Sequence, residues 1–530
     1  MKALLVDCLA TVDGKHRTTP DVIGTGPRYV ASIVENLGWI VDLIEIEVIL
    51  LNSGILKSEY DVLMISAMSS DLKAVKLLIS MWRNEHGDKP VILGGPISFT
   101  DKVVLLDKIG ADIVVVGEAE KTLQELFPLI NDARDKLRHV KGIAFKHNGK
   151  RVFTGYRERL SKEEYNSYTP EAKYVQNYRF YKARRVYVEV VRGCSNFYRP
   201  MRTYGVEKKI CINCGNCFSN DLKRRLTCPE NIPPGCGYCS VPLIYGYPKS
   251  KNINIVFEEI RKLVEAGVKR ITLSAPDFLD YQREELVDDG ILTDPRNPPA
   301  NTEAIEKLFE KIFTIPEIAE EKISVSIENV KACLVTEEVA KLLGKYLRGS
   351  TVNIGFETGS FRQSRFMGRP STPHENLKAI KLLRKYGLRP YVYFMHGLPK
   401  QSRRAVDDTI KAMRKAVKFG AERIIMYKFV PLPETAFEGY RPSKYVLSLS
   451  RVLVKEARRL NRELKNVFLG KTVKAIVASK DPPIAYMLKH GPYILLKGAK
   501  LEPGTVIDVK IEEIKSSRLV SGRISKIYKC

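Results

Sequence analysis

The sequence predicts an α/β protein in three parts, and three patterns along the chain support this. Residues 3–130 alternate apolar strands with amphipathic helices, which is typical of a doubly wound parallel sheet. Residues 186–430 alternate strand and helix over six further units, which favours a partial β/α barrel. Residues 466–530 contain short strands separated by glycine and proline turns, which favours a small β-barrel.

The bulk composition limits the class of protein and its partners. The 530 residues are enough for about three or four domains. No apolar run reaches the ~18–20 residues of a membrane span and the N-terminus lacks an export signal, so we expect a cytoplasmic protein with no membrane partner. Lys and Arg number 87 against 61 Asp and Glu, and the net charge of +26 favours a polyanionic partner such as nucleic acid. The charged surface of a thermophile also fits, because glutamine is scarce.

The first part contains strand and helix candidates in regular order. The strands are Lys2–Val6, Ile40–Ile44, Asp61–Ser66, Pro90–Gly95 and Asp112–Gly117, and the helices are Tyr29–Leu37 and Lys73–Glu85. Ligands of such sheets bind at the carboxyl ends of the strands. Those ends carry Gly24, Gly26, Ser66–Ser70, Gly94-Gly95-Pro96 and Gly117-Glu118-Ala119-Glu120. Each glycine alone is also explained by a tight turn.

In this order, these residues resemble the cobalamin-binding domain that precedes many radical SAM enzymes. The resemblance implies a Rossmann-like domain at residues 1–130 with four cofactor-binding residues: Gly94, Gly95, Gly117 and Glu118. The family's Asp-x-His-x-x-Gly motif for the lower cobalt ligand is absent. His16 is the only histidine in the first loop and has the wrong spacing, so we expect no histidine ligand to cobalt. A relic domain without the corrin is the alternative.

A polar connector at 131–180 leads to the barrel part at 181–435. The connector contains a predicted hairpin around His147-Asn148-Gly149. The barrel strand candidates are Val186–Val191, Arg270–Ser274, Ile323–Ile327, Thr351–Phe356, Arg389–Met395 and Arg423–Phe429, and helices between them include Phe257–Ala266, Glu337–Tyr346, Glu375–Tyr386 and Arg404–Phe419. Chemistry in such barrels collects at the carboxyl ends of the strands, and Cys194 directly follows the first one.

Seven of the ten cysteines lie between Cys194 and Cys239. Disulfides are a poor explanation, because the chain is not a small secreted domain. Clustered Cys-x-x-Cys spacings in such a chain indicate a metal or iron–sulfur site. Cys8, Cys333 and Cys530 stand alone, and we expect no metal chemistry from them.

Two segments resemble the cluster motif of radical SAM enzymes, in which three cysteines hold a 4Fe–4S cluster and leave one iron open. Arg192-Gly193-Cys194 resembles the first half, and Cys236-Gly237-Tyr238-Cys239 resembles the second half with its aromatic residue. An insertion at 195–235 separates the halves. The resemblance implies that the catalytic cluster ligands are Cys194, Cys236 and Cys239, although the insertion holds another cysteine triplet.

Segments after the barrel strands resemble the SAM-contacting loops of the same family. Gly355-Phe356-Glu357 follows a mid-barrel strand, Gly397-Leu398-Pro399 follows the next strand, and Ser274-Ala275-Pro276-Asp277 follows the second. The resemblance implies SAM contacts from Ser274, Asp277, Ser326, Gly355, Glu357, Ser360 and Gly397.

The insertion carries a second four-cysteine set: Cys211, Cys214, Cys217 and Cys228. Its Cys-x-x-Cys-x-x-Cys core is ferredoxin-like, and four thiolates suit either an auxiliary 4Fe–4S cluster or a structural zinc ion. We favour the cluster. Lysines and arginines flank the set, which also suits contact with nucleic acid.

The C-terminal part is strongly basic. Residues 436–465 are predicted to form a basic helical linker, and residues 466–530 hold 12 Lys and Arg against five Asp and Glu. Leu469-Gly470-Lys471-Thr472 and Pro503-Gly504-Thr505 resemble the TRAM domain, an RNA-binding barrel of the OB type. The resemblance implies RNA contacts from Lys471, Lys474, Tyr486, Tyr493, Lys497 and Arg523, with the two tyrosines stacking on bases. A protein-binding barrel is the alternative.

Together the resemblances imply a radical SAM enzyme that modifies RNA, most simply tRNA, by cobalamin-dependent methylation of an unactivated base carbon. It would use a 4Fe–4S cluster, SAM, cobalamin where the first domain retains it, and a reductant such as ferredoxin or flavodoxin. Methylthiolation is the first alternative, because radical SAM methylthiotransferases also end in a TRAM domain and carry a second cluster. An RNA-binding iron–sulfur protein without turnover is the second alternative.

Overall fold

A computed structural model describes residues 1–9, 11, 20–131, 134–498, 500–516 and 518–528. The chain divides into two compact units. The first holds Met1–Tyr187 and Asn254–Val268, and the second holds Val188–Ile253 and the rest of the chain from Lys269. The predictions about His16 and Cys530 fall outside the described residues.

The first unit is built on a parallel sheet that continues into a hairpin. Its strands are β1 Lys2–Asp7, β2 Val22–Ile23, β3 Ile40–Glu45, β4 Val62–Ser66, β5 Val91–Gly94, β6 Ile113–Val115, β7 Ile143–His147 and β8 Lys150–Phe153, and β9 Arg185–Glu189 begins in it. Its helices are α1 Gly26–Asn36, α2 Ile46–Leu51, α3 Leu72–His86, α4 Glu120–Leu126 and α5 Lys162–Ser167. Within the described residues, the sheet order is β3-β1-β4-β5-β6-β7-β8.

Strands β3, β1, β4, β5 and β6 run parallel, as the sequence predicts, and β1 and β4 are buried along most of their length. The order reverses between β1 and β4, and this is the switch point where sheets of this class bind ligands. The predicted hairpin is also present. It does not stand apart in a connector, because Ile143 and Phe145 are buried and β7 pairs antiparallel with β6.

The second unit begins with short elements around the cysteines and continues with alternating strands and helices. The strands are β10 Val191–Arg192, β11 Lys249–Ser250, β12 Arg270–Ser274, β13 Ser324–Ile327, β14 Asn329–Val330, β15 Thr351–Glu357, β16 Arg389–His396 and β17 Arg423–Lys428. The helices are α6 Leu222–Leu226, α7 Val241–Tyr245, α8 Ile253–Glu265, α9 Thr302–Ile312, α10 Pro316–Ala319, α11 Glu337–Leu347, α12 Phe361–Phe366, α13 Pro373–Lys385 and α14 Arg403–Lys418. Helix α8 belongs mostly to the first unit, where Glu259 forms a buried ion pair of 3.1 Å with Arg28 of α1.

All six predicted barrel strands are present within a residue or two of their expected bounds, which confirms the mixed α/β fold class. Strands β14, β15, β16 and β17 form one parallel sheet, and β12 pairs parallel with β13. Glu328 interrupts the strand between β13 and β14. Its carboxylate accepts a hydrogen bond of 2.7 Å from Ser274 Oγ. Hydroxyl side chains at Thr336, Thr372 and Ser402 cap the helices that follow strands, so local sequence fixes where these helices begin.

The C-terminal region consists of a long helix and a closed barrel. The elements are α15 Lys444–Lys465, β18 Thr472–Lys480, β19 Pro483–Met487, β20 Tyr493–Leu496, β21 Val506–Ile514 and β22 Leu519–Ile527. The barrel closes in the order β18-β19-β20-β22-β21 around apolar residues that include Ala475, Ile494 and Val509. The sequence predicts four of these strands and misses β19, because two consecutive prolines at its start read as a breaker.

The barrel packs against the amino ends of the strands in its own unit. Leu488 O accepts hydrogen bonds from Arg270 Nε at 3.3 Å and from Ser324 Oγ at 2.8 Å. Arg389 Nη1 donates to His490 O at 2.8 Å. These contacts leave the opposite edge, where the strands end, for the site. No helix in the described part of the chain is long and apolar enough to cross a membrane.

Candidate active site

Cys194 stands on a turn that only glycine permits. Strand β10 pairs with β11 just before this turn, and Cys194 N donates to Gly246 O at 3.1 Å. Gly193 has a φ of +91°, and a Cβ at this position would lie 2.2 Å from Tyr247 O. A larger residue would displace the backbone on both sides. The local sequence therefore fixes the direction in which Cys194 leaves the strand.

The segment with Cys236 and Cys239 is held by equally close packing. A Cβ on Gly237 would lie 2.5 Å from the Phe437 ring. Gly237 N donates to Met367 O, and Phe437 N donates to Gly237 O, both at 2.8 Å. Long-range backbone bonds therefore fix this second half of the motif between distant parts of the unit.

Asn196 joins the two halves. Its backbone N–H donates to Cys194 Sγ at 3.4 Å, and its side-chain amide donates to Cys236 Sγ at 3.3 Å. Burial raises the pKa of Cys194 to about 11 and that of Cys239 to about 12, so these thiols keep their protons until a metal displaces them. Asn196 thus holds Cys194 and Cys236 close together, and Cys239 lies near enough to both for their charges to raise its pKa, while their role as cluster ligands stays a prediction.

A buried charge network braces the residue after Cys194. Lys331 Nζ lies 2.8 Å from Ser195 Oγ, 2.5 Å from Asp280 Oδ2 and 2.9 Å from Asp277 Oδ2. Burial opposes the charge on Lys331, but the two carboxylates outweigh it and raise the lysine's pKa. Burial likewise opposes ionisation of Asp280, and Lys331 with Arg283 outweighs it and lowers the pKa of this carboxyl. Neither carboxylate is exposed to water, so the network depends on its own pairing.

Arg369 supplies a second cation, beside Cys236. Its Nη1 lies 3.0 Å from Tyr238 OH and 3.5 Å from Cys236 Sγ, and its Nη2 donates to Gly355 O. Its Nε is buried without a hydrogen-bond partner among the described residues. Glu357 lies 3.8 Å away, and burial raises the pKa of that carboxyl although Arg369 offsets part of the effect.

Glu357 is also held in an unusual backbone conformation. Its φ is +63°, at an irregularity between β15 and β16. Such a conformation costs a non-glycine residue about 1–3 kcal/mol and persists only where the surroundings impose it. The surroundings of β15 and β16 therefore hold Glu357 at the carboxyl edge, 3.8 Å from Arg369, despite this conformational cost.

The other residues predicted to contact SAM lie at or near the same edge but differ in the contacts that they already make within the protein. Asp277 is fully buried and bonded to Lys331. Ser326 Oγ lies 3.0 Å from Thr272 Oγ1, inside the strand pair. Ser360 caps α12, accepting from Gln363 N. Gly397 has a φ of +82° and no atom within 4 Å of a Cβ position. The role of each in SAM binding stays a prediction.

The insertion cysteines differ from the split-motif cysteines in exposure at one position. Cys214 is exposed, whereas Cys211, Cys217 and Cys228 are partly buried, as are Cys194, Cys236 and Cys239. Arg199 Nη1 donates to Cys217 Sγ at 3.4 Å. In the described ranges, no three His, Cys, Asp or Glu side chains converge as ligands of a single metal ion, and this applies to both sets of cysteines. The choice between a cluster and zinc at this set stays a prediction.

The carboxyl edge of the first unit's sheet carries the predicted cobalamin residues. Gly117 has a φ of +88° and faces open space, whereas a Cβ on Gly95 would lie 2.9 Å from Ala67 O, with Gly94 beside it. Ser98 Oγ is buried without a partner among the described residues. Glu118 accepts a hydrogen bond of 2.9 Å from Leu160 N, so its carboxylate is already bonded to the segment 131–180.

The residues predicted to contact RNA on the barrel are partly engaged elsewhere. Arg270 lies over the Tyr486 ring at 5.5 Å, and Tyr493 lies 5.3 Å from Tyr486. Lys497 and Arg523 form ion pairs with Glu512. Lys471 and Lys474 are the remaining two, and Lys474 lies 5.0 Å from the Tyr528 ring. Their roles in RNA binding stay predictions.

Sequence reasoning missed three residues of the site: Asn196, Lys331 and Arg369. Each lies far along the chain from at least one residue that it contacts, and no spacing pattern marks it. Only Arg369 had a usable signal, because Gly368-Arg369-Pro370 interrupts two helices at the carboxyl edge.

Comparison with known families agrees with this geometry. The model of the radical SAM superfamily matches residues 227–413, and the model of the B12-binding domain matches residues 16–127. Cys236 and Cys239 lie inside the first match, and the glycines of the first unit lie inside the second. The chain is therefore a radical SAM enzyme that carries a B12-binding domain.

Within that class the chain belongs to a family of archaeal proteins. It is 39% identical to an uncharacterized protein of Methanopyrus kandleri, over 99% of this chain and 96% of the other. It is 37% identical to an uncharacterized protein of Methanocaldococcus jannaschii over the full length of both. More distantly, it is 26% identical to a tRNA-2-methylthio-N6-dimethylallyladenosine synthase of Thermotoga petrophila, over 54% of this chain and 61% of the other.

Solved structures share the fold. The radical S-adenosylmethionine methyltransferase TsrM of Kitasatospora setae, with cobalamin and a 4Fe–4S cluster bound, aligns with a TM-score of 0.56 at 14% identity, over 82% of this chain and 77% of that chain. The cobalamin-dependent radical enzyme OxsB aligns with a TM-score of 0.53 at 14% identity, over 86% and 56%.

The cofactors of this class are a 4Fe–4S cluster, SAM and cobalamin, and residues in both units suit them. N–H donors to thiol sulfur and two adjacent cations suit a cluster of thiolates. Open space at Gly117 and the free hydroxyl of Ser98 at the sheet's carboxyl edge suit a large cofactor with polar side chains.

Proposed function

We propose that this protein is a cobalamin-dependent radical SAM methyltransferase that methylates an unactivated carbon of an RNA base, with tRNA as its substrate. The observation that carries the proposal is the joint holding of Cys194 and Cys236 by Asn196, in a chain that also has a B12-binding domain. The net charge of +26 and the C-terminal barrel, which resembles a TRAM domain, support RNA as the substrate.

The residues of this chain would bind the cofactors and limit the access of water to them. Cys194, Cys236 and Cys239 would hold the cluster, which when bound supplies electrons for SAM cleavage, while cobalamin supplies the methyl group. Asn196 and Arg369 direct N–H groups at the sulfurs, and Lys331 fixes Ser195. Cys194, Cys236 and Cys239 are partly buried, which would limit the access of water to a cluster held at this site. A reductant such as ferredoxin or flavodoxin completes the system.

The experiment is mass spectrometry of tRNA nucleosides from cells with and without the gene. We expect one methylated nucleoside to disappear in the deletion strain and to return with the wild-type gene. Restoration must fail with a Cys236→Ala gene, which controls for effects of the protein without turnover. An unchanged nucleoside profile would contradict the proposal that tRNA is the substrate.

Methylthiolation is the second candidate, and one observation favours it. The insertion offers four cysteines for an auxiliary cluster, and a distant relative is a tRNA methylthiotransferase. The first unit has only Cys8 as a candidate ligand in its sequence, whereas those enzymes use N-terminal cysteines for the second cluster. The same mass spectra decide, because a missing nucleoside that contains sulfur selects this candidate. Binding of tRNA without any SAM cleavage would instead select a protein without turnover.

A further inference from the structure

A cleft of about 570 Å³ lies between α15 and the carboxyl ends of β16 and β17. Its lining is basic: Lys428, Arg451, Lys455, Arg458 and Arg462 contribute five cations, and His396 lies at one end. No acidic residue lines it. His396 and Lys428 are register partners at the ends of β16 and β17, so the cleft opens on the same edge as Glu357 at the end of β15.

The charges in the cleft are unpaired. None of these five cations forms an ion pair with any residue in the described ranges of the chain. Arg451, Lys455, Arg458 and Arg462 follow one another at helical spacing and share one face of α15, over about 16 Å. Like charges so arranged repel one another and destabilise a helix unless an anion lies among them.

The neighbouring face of the same helix, about 100° around its axis, shows that ion pairing was available. There Arg459 pairs with Glu456 at 2.8 Å and Glu463 at 2.5 Å, and Glu456 also pairs with Arg414 of α14 at 2.8 Å. Helix α15 therefore has one face whose charged side chains form ion pairs and another face whose cations line the cleft. This separation points to a polyanionic ligand and not to a generally basic surface.

The cleft is tied to the loop at the end of β16. Gln401 Oε1 accepts from Gly397 N at 2.8 Å, and Gln401 Nε2 donates to Val446 O at 3.0 Å and to Ser450 Oγ at 3.1 Å. Ser450 forms part of the cleft wall. A ligand in the cleft is thus held next to Gly397, where the SAM-contacting loop is predicted.

We propose that this cleft binds the phosphodiester backbone of the RNA substrate and holds it beside the carboxyl edge where the cluster cysteines lie. The assignment rests on the proposed function, because it takes RNA as the substrate. A row of cations along one helix suits the regularly spaced charges of a phosphate chain. Protein partners favour lysine-poor interfaces with aromatic anchors, whereas this cleft is rich in lysine and arginine and its apolar residues are aliphatic, such as Leu447 and Val454.

The test compares two variants of the full chain with equal loss of charge. R451Q/K455Q/R458Q removes three cations from the cleft, and K411Q/K415Q/K418Q removes three exposed lysines from α14. Binding of a labelled mixed tRNA pool is measured over a range of salt concentrations. We expect the cleft variant to bind about 10- to 100-fold more weakly, with a slope of log K against log salt reduced by about 2–3. The control variant should retain most of the wild-type affinity and slope.

The outcomes separate this inference from the proposed function. If wild-type protein binds tRNA and the cleft variant matches the control, the cleft assignment is overturned while RNA remains the substrate. If wild-type protein shows no salt-dependent tRNA binding, the proposal that RNA is the substrate is contradicted. If the cleft variant binds tRNA normally but cleaves SAM more slowly with reduced flavodoxin, an acidic redox protein occupies the cleft and the inference is overturned.

Discussion

The two sets of cysteines in the second unit are held by different contacts. Burial raises the pKa of Cys194 and Cys239, and Asn196 donates to both Cys194 and Cys236, the second of which lies 40 positions from Asn196 along the chain. In the insertion, Cys214 is exposed, and Cys211 accepts its hydrogen bond from Asn213, only two residues away. The first set is joined through Asn196. In the second set, Cys211 and Cys228 pack against the core cluster that contains Met367 and Phe437, and Arg199 donates to Cys217.

This difference assigns the two sets to different tasks. A radical needs a site from which water is excluded, and the first set adjoins the buried network of Lys331, Asp277 and Asp280. The second set has one exposed cysteine, Cys214, which suits electron transfer or local bracing. The insertion interrupts the motif in sequence without separating its halves in space, because Asn196 follows Cys194 directly into the core of the site.

SAM cleavage should differ most between two variants, each of which removes one cysteine from a different set. Cys236→Ala should abolish formation of 5′-deoxyadenosine from SAM, because the cluster loses a ligand. Cys214→Ala should leave SAM cleavage within about twofold of wild type when an artificial reductant is used. Chromatography of the nucleoside product under anaerobic conditions gives both values. Equal loss in the two variants would break the division between the sets.

The next effect concerns the network behind Cys194. Lys331→Met leaves two buried carboxylates without their shared cation, and we expect a loss of about 3–5 kcal/mol in the free energy of unfolding. Iron bound at the SAM cluster should fall with it, because Ser195 loses its anchor. Denaturant titration and iron analysis measure the two.

The matched control is Lys345→Met, in the exposed ion pair with Glu306. That variant should unfold at nearly the wild-type denaturant concentration, because exposed pairs add little to stability. If both lysine variants behave alike, the buried network does not brace the cysteine.

The smallest effect concerns the cation next to Cys236. Arg369→Gln should lower the reduction potential of the SAM cluster, because the reduced cluster carries one more negative charge and loses a stabilising neighbour. Arg369→Lys should recover part of the potential while losing the bond to Tyr238. Potentiometric titration followed by electron paramagnetic resonance (EPR) measures the shift. An unchanged potential in Arg369→Gln would reduce Arg369 to a packing role.

Much of the fold could be predicted from the sequence, because its signals are local. Apolar strands alternate with amphipathic helices, and hydroxyl caps mark helix starts such as Thr372 and Ser402. The residues Asn196, Lys331 and Arg369 could not be predicted, because their contacts join segments that sequence spacing does not relate. Likewise the sequence shows that α15 is basic, but only the structure separates paired Arg459 from unpaired Arg458 and Arg462.

We expect the SAM cluster to be held by the split motif and not by the cysteine triplet of the insertion. EPR spectra of the reduced protein with and without SAM distinguish the two, using C211A/C214A/C217A beside Cys236→Ala. We expect the triple variant to keep a 4Fe–4S signal that changes when SAM is added, and Cys236→Ala to lose that change. A SAM-sensitive signal that disappears in the triple variant and persists in Cys236→Ala would contradict the claim.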